Sequence, residues 1–208
     1  MTDAKNVLSL FDLSTVAVQP WADAGYHCSC VDIQHTTRLS GDIEVFGIDI
    51  TQRDWDIDPG YYSMVMAFPP CTHLAVSGAR WFKGKGLRAL AEAIELVACA
   101  ADICEDSGAP YFIENPVSTL STYWRKPDYM FDPCDYAGYL DDPAPEAYTK
   151  RTCLWTGGGF VMPEPKRVDP VLGSVMHRIP PGDERSNIRS RTPMGFAKAV
   201  FAANGVQP

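Results

Sequence analysis

Along the chain, short apolar runs of strand length alternate with stretches in which apolar residues recur at helical spacing, the pattern of an α/β protein. Val7 to Phe11 reads as a first buried strand, and a short helix follows Gln19 and stops at Gly25. Tyr26 to Val31 reads as a second strand ending on Asp32, and Val45 to Ile48 as a third ending on Asp49. Tyr61 to Met66 is a further buried run, stopped by Pro69 and Pro70, which donate no ladder hydrogen bond and fix their own φ. Cys71 is therefore expected in a rigid turn. Gly86 to Asp106 places Leu87, Leu90, Ala91, Ile94, Val97, Ala98 and Ala101 on one helical face, with Gly108 as terminator. Tyr111 to Ile113 then forms a strand that ends in Glu114-Asn115-Pro116. A strand, a long helix and a strand predict a right-handed crossover, which puts Cys71 and Glu114 at one edge of the sheet.

Residues 118–149 are rich in aromatic residues and proline without a clean period, and read as irregular with one short helix. Lys150 to Trp155 reads as a strand entry and 156–190 as loop. The last element is a helix with Thr192 as N-cap, Pro193 in the first turn, Phe196, Ala199, Val200 and Ala203 on one face, and Gly205 as stop. The expectation is one domain over 1–208, a Rossmann-like, mostly parallel sheet flanked by helices.

Composition narrows this little, and charge narrows it more. With 208 residues and 46% hydrophobic content the chain can bury a real core. No apolar run approaches membrane-spanning length, and Met1 to Lys5 lacks the basic and apolar regions of a signal peptide, so a cytoplasmic protein without membrane contact is expected. Seven scattered cysteines without a Cys-x-x-Cys pair indicate neither a disulfide framework nor a zinc ribbon. Cys28 and Cys30 read as same-face core positions on a strand, and no metal site is expected. The net charge of −8 works against holding long duplex DNA by phosphate neutralisation alone. Residues 150–191 nevertheless carry eight of the 18 Lys and Arg against four acids. Such a patch on an acidic body suits an anionic ligand or is merely solvated.

A cysteine and a glutamate at the carboxyl edge of one sheet, with an arginine beside them, can activate a pyrimidine. A thiolate adds to carbon 6, a carboxylic acid hydrogen-bonds nitrogen 3, and carbon 5 becomes nucleophilic. A free thiol is only about 3% ionised at pH 7, so the site must favour the anion, and a protonated Glu114 needs the raised pKa that burial supplies.

Phe68-Pro69-Pro70-Cys71, extended through Thr72 to Gly78, resembles the Pro-Cys nucleophile motif and following mobile loop of the cytosine-carbon-5 DNA methyltransferase family. Ile113-Glu114-Asn115-Pro116 resembles its Glu-Asn-Val motif, Val31-Asp32 its ribose-binding motif, and Gly47 to Thr51, with Asp49, the acidic motif at the cofactor's adenine. Leu10-Phe11-Asp12 matches the frame of the first cofactor motif, Lys150-Arg151 the arginine-containing strand, and Met194-Gly195-Phe196-Ala197 the terminal segment. The matches occur in family order across nearly the whole chain, and small phage-type members are similar in size.

The resemblance implies a class I methyltransferase fold and S-adenosylmethionine as cofactor, held by Phe11, Asp32, Asp49, Pro69 and Gly195. It implies a catalytic set of Cys71 as nucleophile, Glu114 on nitrogen 3, Arg151 on oxygen 2 and Asn115 orienting the Pro70-Cys71 turn. Cytosine in DNA or in a nucleotide is the implied partner, in a bacterial host's cytoplasm if phage-encoded. Two features depart from the family. Phe11 is followed by Asp12-Leu13-Ser14-Thr15-Val16 where the family has a glycine-rich turn. Only about 35 residues, 156–190, stand where the family inserts a target-recognition domain, below the ~40 that usually fold alone. Arg185, Arg189 and Arg191 are the candidates there for a phosphate. The alternatives are an inert relative that binds a nucleotide or a protein partner, and a cytosine-modifying enzyme that transfers a different group.

Overall fold

The computed structural model describes residues 5–52, 55, 57–175, 182 and 185–205, apart from the side chains of 185 and 186. Seven strands form one sheet. They are β1 (Asn6–Leu10), β2 (His27–Val31), β3 (Ile43–Phe46), β4 (Met64–Ala67), β5 (Tyr111–Pro116), β6 (Tyr129–Phe131) and β7 (Thr152–Gly157). Their spatial order is β3-β2-β1-β4-β5-β7-β6. The pairs from β3 through β5 are parallel, and β7 runs antiparallel to both β5 and β6. This is the doubly wound order with one reversed strand inserted near its end. Strands buried on both faces need no alternation, and β4 shows it: all four of its residues are buried.

Helices cover both faces. Helix α1 (Gln19–Asp23) and the C-terminal α5 (Met194–Asn204) pack on one face, where Trp21, Phe112, Leu154, Phe196 and Val200 share a cluster. Trp21 meets Tyr26 and Phe201 edge to face at 5.1 and 5.2 Å. On the other face lies α2 (Phe82–Asp106), interrupted at Gly86, whose φ of 80° and ψ of 176° break the helix after one turn. Between them in sequence order are the single turn α3 (Leu120–Tyr123) and, before α5, the six-residue α4 (Arg185–Ser190).

Several expectations need correction in detail. The buried stripe of α2 is Ala93, Val97, Ala100, Ile103 and Cys104, while Leu87 is 84% exposed and Ala91 and Ala98 are also exposed. Small residues at 93 and 100 let the helix approach the sheet, whereas Leu87 near its start stays in solvent. Residues 118–149 hold β6 besides the short helix, and α4 forms within what reads as loop. Pro193, not Thr192, is the N-cap of α5. Cys28 and Cys30 are both fully buried in the cluster beneath α1. No described helix is long and apolar enough to cross a membrane.

Candidate active site

The parallel pairing of β4 with β5 sets Ala67 opposite Ile113, so Cys71 and Glu114 leave the sheet from neighbouring strands at its carboxyl edge. The turn that carries Cys71 is pinned on both sides of the sulfur. Before it, the buried Asn115 donates from Nδ2 to the Pro69 carbonyl at 3.0 Å. After it, the amides of Leu74 and Ala75 both donate to the Cys71 carbonyl at 3.0 and 2.9 Å. The chain beyond is stitched to the segment after Glu114, through Val76 N–H to the Val117 carbonyl and Thr119 N–H to the Leu74 carbonyl, both 3.0 Å. Asn115 thus holds the proline turn at the place the sequence suggests.

Strand alternation decides which side chains face the pocket. Phe112 belongs to the cluster under α5, so Glu114, two residues on, shares that face. On β7 the same face is taken by Leu154, Thr152 and, just before the strand, Lys150. Phe68, Glu114, Phe131, Lys150, Thr152, Ser190, Thr192, Pro193 and Phe196 line one small pocket. Its free volume of about 10 Å³ is room for roughly one water, so a ring-sized ligand needs the wall of Ser190, Thr192 and Pro193 to yield.

Lys150 therefore stands where Arg151 is expected. Arg151, on the opposite side of the strand, pairs with Asp132 at 3.3 Å and is half exposed. A one-residue shift of phase exchanges the two faces, and the adjacent basic pair Lys150-Arg151 leaves that phase undetermined in the sequence.

Burial pushes the Glu114 carboxyl up, with Lys150 pulling it back, so the acid form persists to higher pH than in an exposed glutamate. Burial also pushes the Cys71 thiol up, followed by the negative field of Glu114, while Lys150 and Arg189 act the other way. The two groups are linked: when Glu114 gains a proton, one of the forces opposing the Cys71 thiolate disappears. A thiol beside a neutral carboxylic acid can add to an electron-poor ring carbon while the acid donates to a ring nitrogen.

At the other end of the carboxyl edge the acids have partners of their own. Asp12 is buried and accepts from Ser9 Oγ at 2.9 Å, Ser14 Oγ at 3.0 Å and Thr15 N–H at 2.8 Å. Burial still raises its pKa against those three bonds. Phe11 and Thr15 both have a φ of 57°, the left-handed conformation that glycine usually supplies. The loop thus makes a glycine-type turn without glycine, held by a carboxylate inside it. Asp32 accepts the Gln34 amide at 2.8 Å on Oδ1 and nothing on Oδ2 among the described residues, and Ile33 beside it is 68% exposed. Asp49 accepts Thr51 N–H and Oγ1 on one oxygen and Gln52 Nε2 on the other, and so caps the one-turn helix Ile50–Gln52. Asp32 thus keeps one carboxylate oxygen beside the exposed Ile33, with Phe11 at the carboxyl end of the neighbouring β1.

The remaining candidates divide. Pro69 is buried and acts through its carbonyl. Gly195 donates to Glu146 Oε2 at 2.9 Å, and a Cβ there would stand 2.5 Å from the Tyr136 carbonyl oxygen, so its smallness serves packing of α5. Glu146, which the sequence does not flag, also accepts Met194 N–H at 2.6 Å and anchors the strand of chain that walls the pocket. Arg191 is exposed and its charge acts on Glu146, whereas that of Arg189 reaches Cys71. The Arg185 side chain lies outside the described residues. Compared with known proteins, the sequence matches no family model and resembles no curated protein closely enough to count as a relative.

Proposed function

We propose that the protein is a methyltransferase-class enzyme that modifies carbon 5 of a cytosine, with Cys71 as covalent nucleophile. The observation that carries the reading is that Cys71 and the half-buried Glu114 leave adjacent parallel strands at one edge of the sheet, Glu114 lining a pocket with Lys150 and the charges of both reaching the Cys71 thiol. The sheet order with its single reversed strand and the engagement of Pro69 by Asn115 support it.

In this reading the Cys71 sulfur forms a bond to carbon 6, and Glu114, as the neutral acid, donates a hydrogen bond to nitrogen 3, which draws the displaced electron pair away from the ring. Lys150 takes the role otherwise expected of Arg151 and meets oxygen 2, where negative charge develops. Bound S-adenosylmethionine supplies an electrophilic methyl group to carbon 5. Loss of the carbon-5 proton to a base then expels the sulfur from carbon 6, so one methyl enters, one proton leaves and Cys71 is restored. Asp32, with Ile33 and Phe11, holds the adenosine half.

Mass spectrometry of nucleosides from cells expressing the protein, with Cys71→Ser as control, tests this. The expected result is a methylated cytosine in the wild type that is absent from the variant. Wild-type cells with no new cytosine derivative in either DNA or the nucleotide pool would sink the reading.

A further inference from the structure

Among the described residues, part of the basic segment is engaged by the fold rather than displayed. Arg151 pairs with Asp132 at 3.3 Å, Arg167 pairs with Asp135, and the Lys166 ammonium sits 4.1 Å from the centre of the Tyr139 ring. The charge of Arg191 acts on Glu146, the half-buried acid that anchors α5. Of the described basic side chains between 150 and 191, Lys150, Arg189 and Arg191 make no ion pair or aromatic contact with another described residue; the charges of Lys150 and Arg189 act on the candidate nucleophile and that of Arg191 on Glu146.

The chain between β7 and α5 is likewise fastened to the body. Phe160 packs on Phe112, and Tyr136 and Tyr139 donate their hydroxyls to the carbonyls of Pro163 and Glu164. Gly138 N–H bonds the Lys166 carbonyl, Val168 N–H that of Cys134, and Leu172 N–H that of Ala147. Residues 158–172 thus cover the β6 end of the sheet and project no element toward a groove. The six residues of α4 lie across the carboxyl edge instead. Ser190 lines the pocket, and Asn187 reaches Gln34, two residues beyond Asp32, at 3.4 Å. The base of any substrate has to displace the wall at Ser190 to Pro193, and between 150 and 191 only Lys150, Arg189 and Arg191 among the described side chains are left without an ion pair or aromatic partner to meet phosphates.

Resting on the reading above, we propose that the substrate is a free cytosine nucleotide, with the base between Cys71, Glu114 and Lys150 and the phosphate on Arg189. Lys150, which lines the pocket, and Arg189, next in sequence to the pocket-lining Ser190, on a body of net charge −8 match a single small anion. A polymer needs several phosphate contacts to bind at physiological salt. A neutral Glu114 donates to the unprotonated nitrogen 3 of cytosine and meets a donor on thymine, which sets the base preference.

Calorimetry with deoxycytidine monophosphate, deoxycytidine, thymidine monophosphate and a 20-mer, single-stranded and duplex, tests the proposal on the wild type and on Arg189→Ala, an exposed change. The expected result is binding of deoxycytidine monophosphate in preference to the thymidine nucleotide. Arg189→Ala should weaken it about tenfold or more and leave deoxycytidine unchanged, as loss of a charge-assisted contact does. Binding of the 20-mers but not the nucleotide overturns the proposal, as does equal weakening of nucleotide and nucleoside, or binding of none of the five. Assay of the same mixtures for methylated product keeps the two ideas apart. Nucleotide binding without turnover leaves the site standing and removes the methyltransferase reading, whereas turnover on DNA alone does the reverse.

Discussion

At the β1 to β3 end of the carboxyl edge, Asp12, Asp32 and Asp49 all accept hydrogen bonds from their own loops, whereas at the β4 to β5 end Glu114 accepts none among the described residues. The first set makes turns. Asp12 holds a loop in which two residues with side chains take the left-handed conformation, a cost of order 1–3 kcal/mol each that the surrounding bonds offset. The second end keeps an acid, a thiol and a cation together with little internal satisfaction, which raises pKa values and leaves capacity for a ligand. Acidic residues at successive strand ends look alike in sequence and diverge in use, and substitution can separate the two uses.

The largest effect is expected from Glu114→Gln. The amide cannot act as the acid at nitrogen 3, so kcat should fall about 10²–10⁴-fold. Lys150→Gln should lower kcat/KM about 10–100-fold, the size of one charge-assisted hydrogen bond. Both proteins should remain folded by near-UV circular dichroism. A Glu114→Gln enzyme with wild-type turnover would dissolve the distinction between the two ends.

Asp12→Ala probes the opposite end. It removes three hydrogen bonds and releases the turn at Phe11 and Thr15, so urea unfolding should show a loss of about 2–4 kcal/mol. Unchanged stability would mean that the left-handed turn does not depend on the carboxylate.

A third test compares the ends by pH. The folded pKa of Glu114 is raised, so the folded state holds a proton that the unfolded chain has released. Its contribution to stability is full below the unfolded value of about 4.5 and is lost as pH rises toward the folded value. Within that window the loss is about 1.4 kcal/mol per pH unit. Glu114→Gln has no such proton, so its stability should decline less steeply than the wild type's above pH 4.5. Parallel curves in urea melts at several pH values would remove the case for a raised carboxyl pKa at Glu114.

How much of this was legible in the sequence depended on what each feature rests on. The Cys71 turn and the Asn115 contact follow from two prolines and a short apolar run, both local signals. The parallel pairing of β4 and β5 follows from the long helix between them. Strand β6 was not legible, since three residues flanked by turns carry too little period, and neither was α4, whose position depends on Gln34 far away in sequence. The Glu146 anchor leaves no local trace because its partners are backbone amides 48 and 49 residues later.

The smallest effect separates Lys150 from Arg151. They are adjacent and both basic, and the resemblance to a known family points to the arginine, so a reading from sequence has no means of preferring the lysine. On the folded chain they stand on opposite sides of β7, the lysine with Glu114 and the arginine with Asp132. The Arg151 head is half exposed, and a pair of that kind contributes about 0–1 kcal/mol. Arg151→Gln should therefore change unfolding free energy by less than about 1 kcal/mol and leave kcat/KM within about twofold, in contrast to the 10–100-fold of Lys150→Gln. The reverse ranking would mean that β7 is shifted by one residue relative to β5. Every side chain placed here on its pocket face would then change sides, and Thr152 and Leu154 would leave the cluster under α5 together with Lys150.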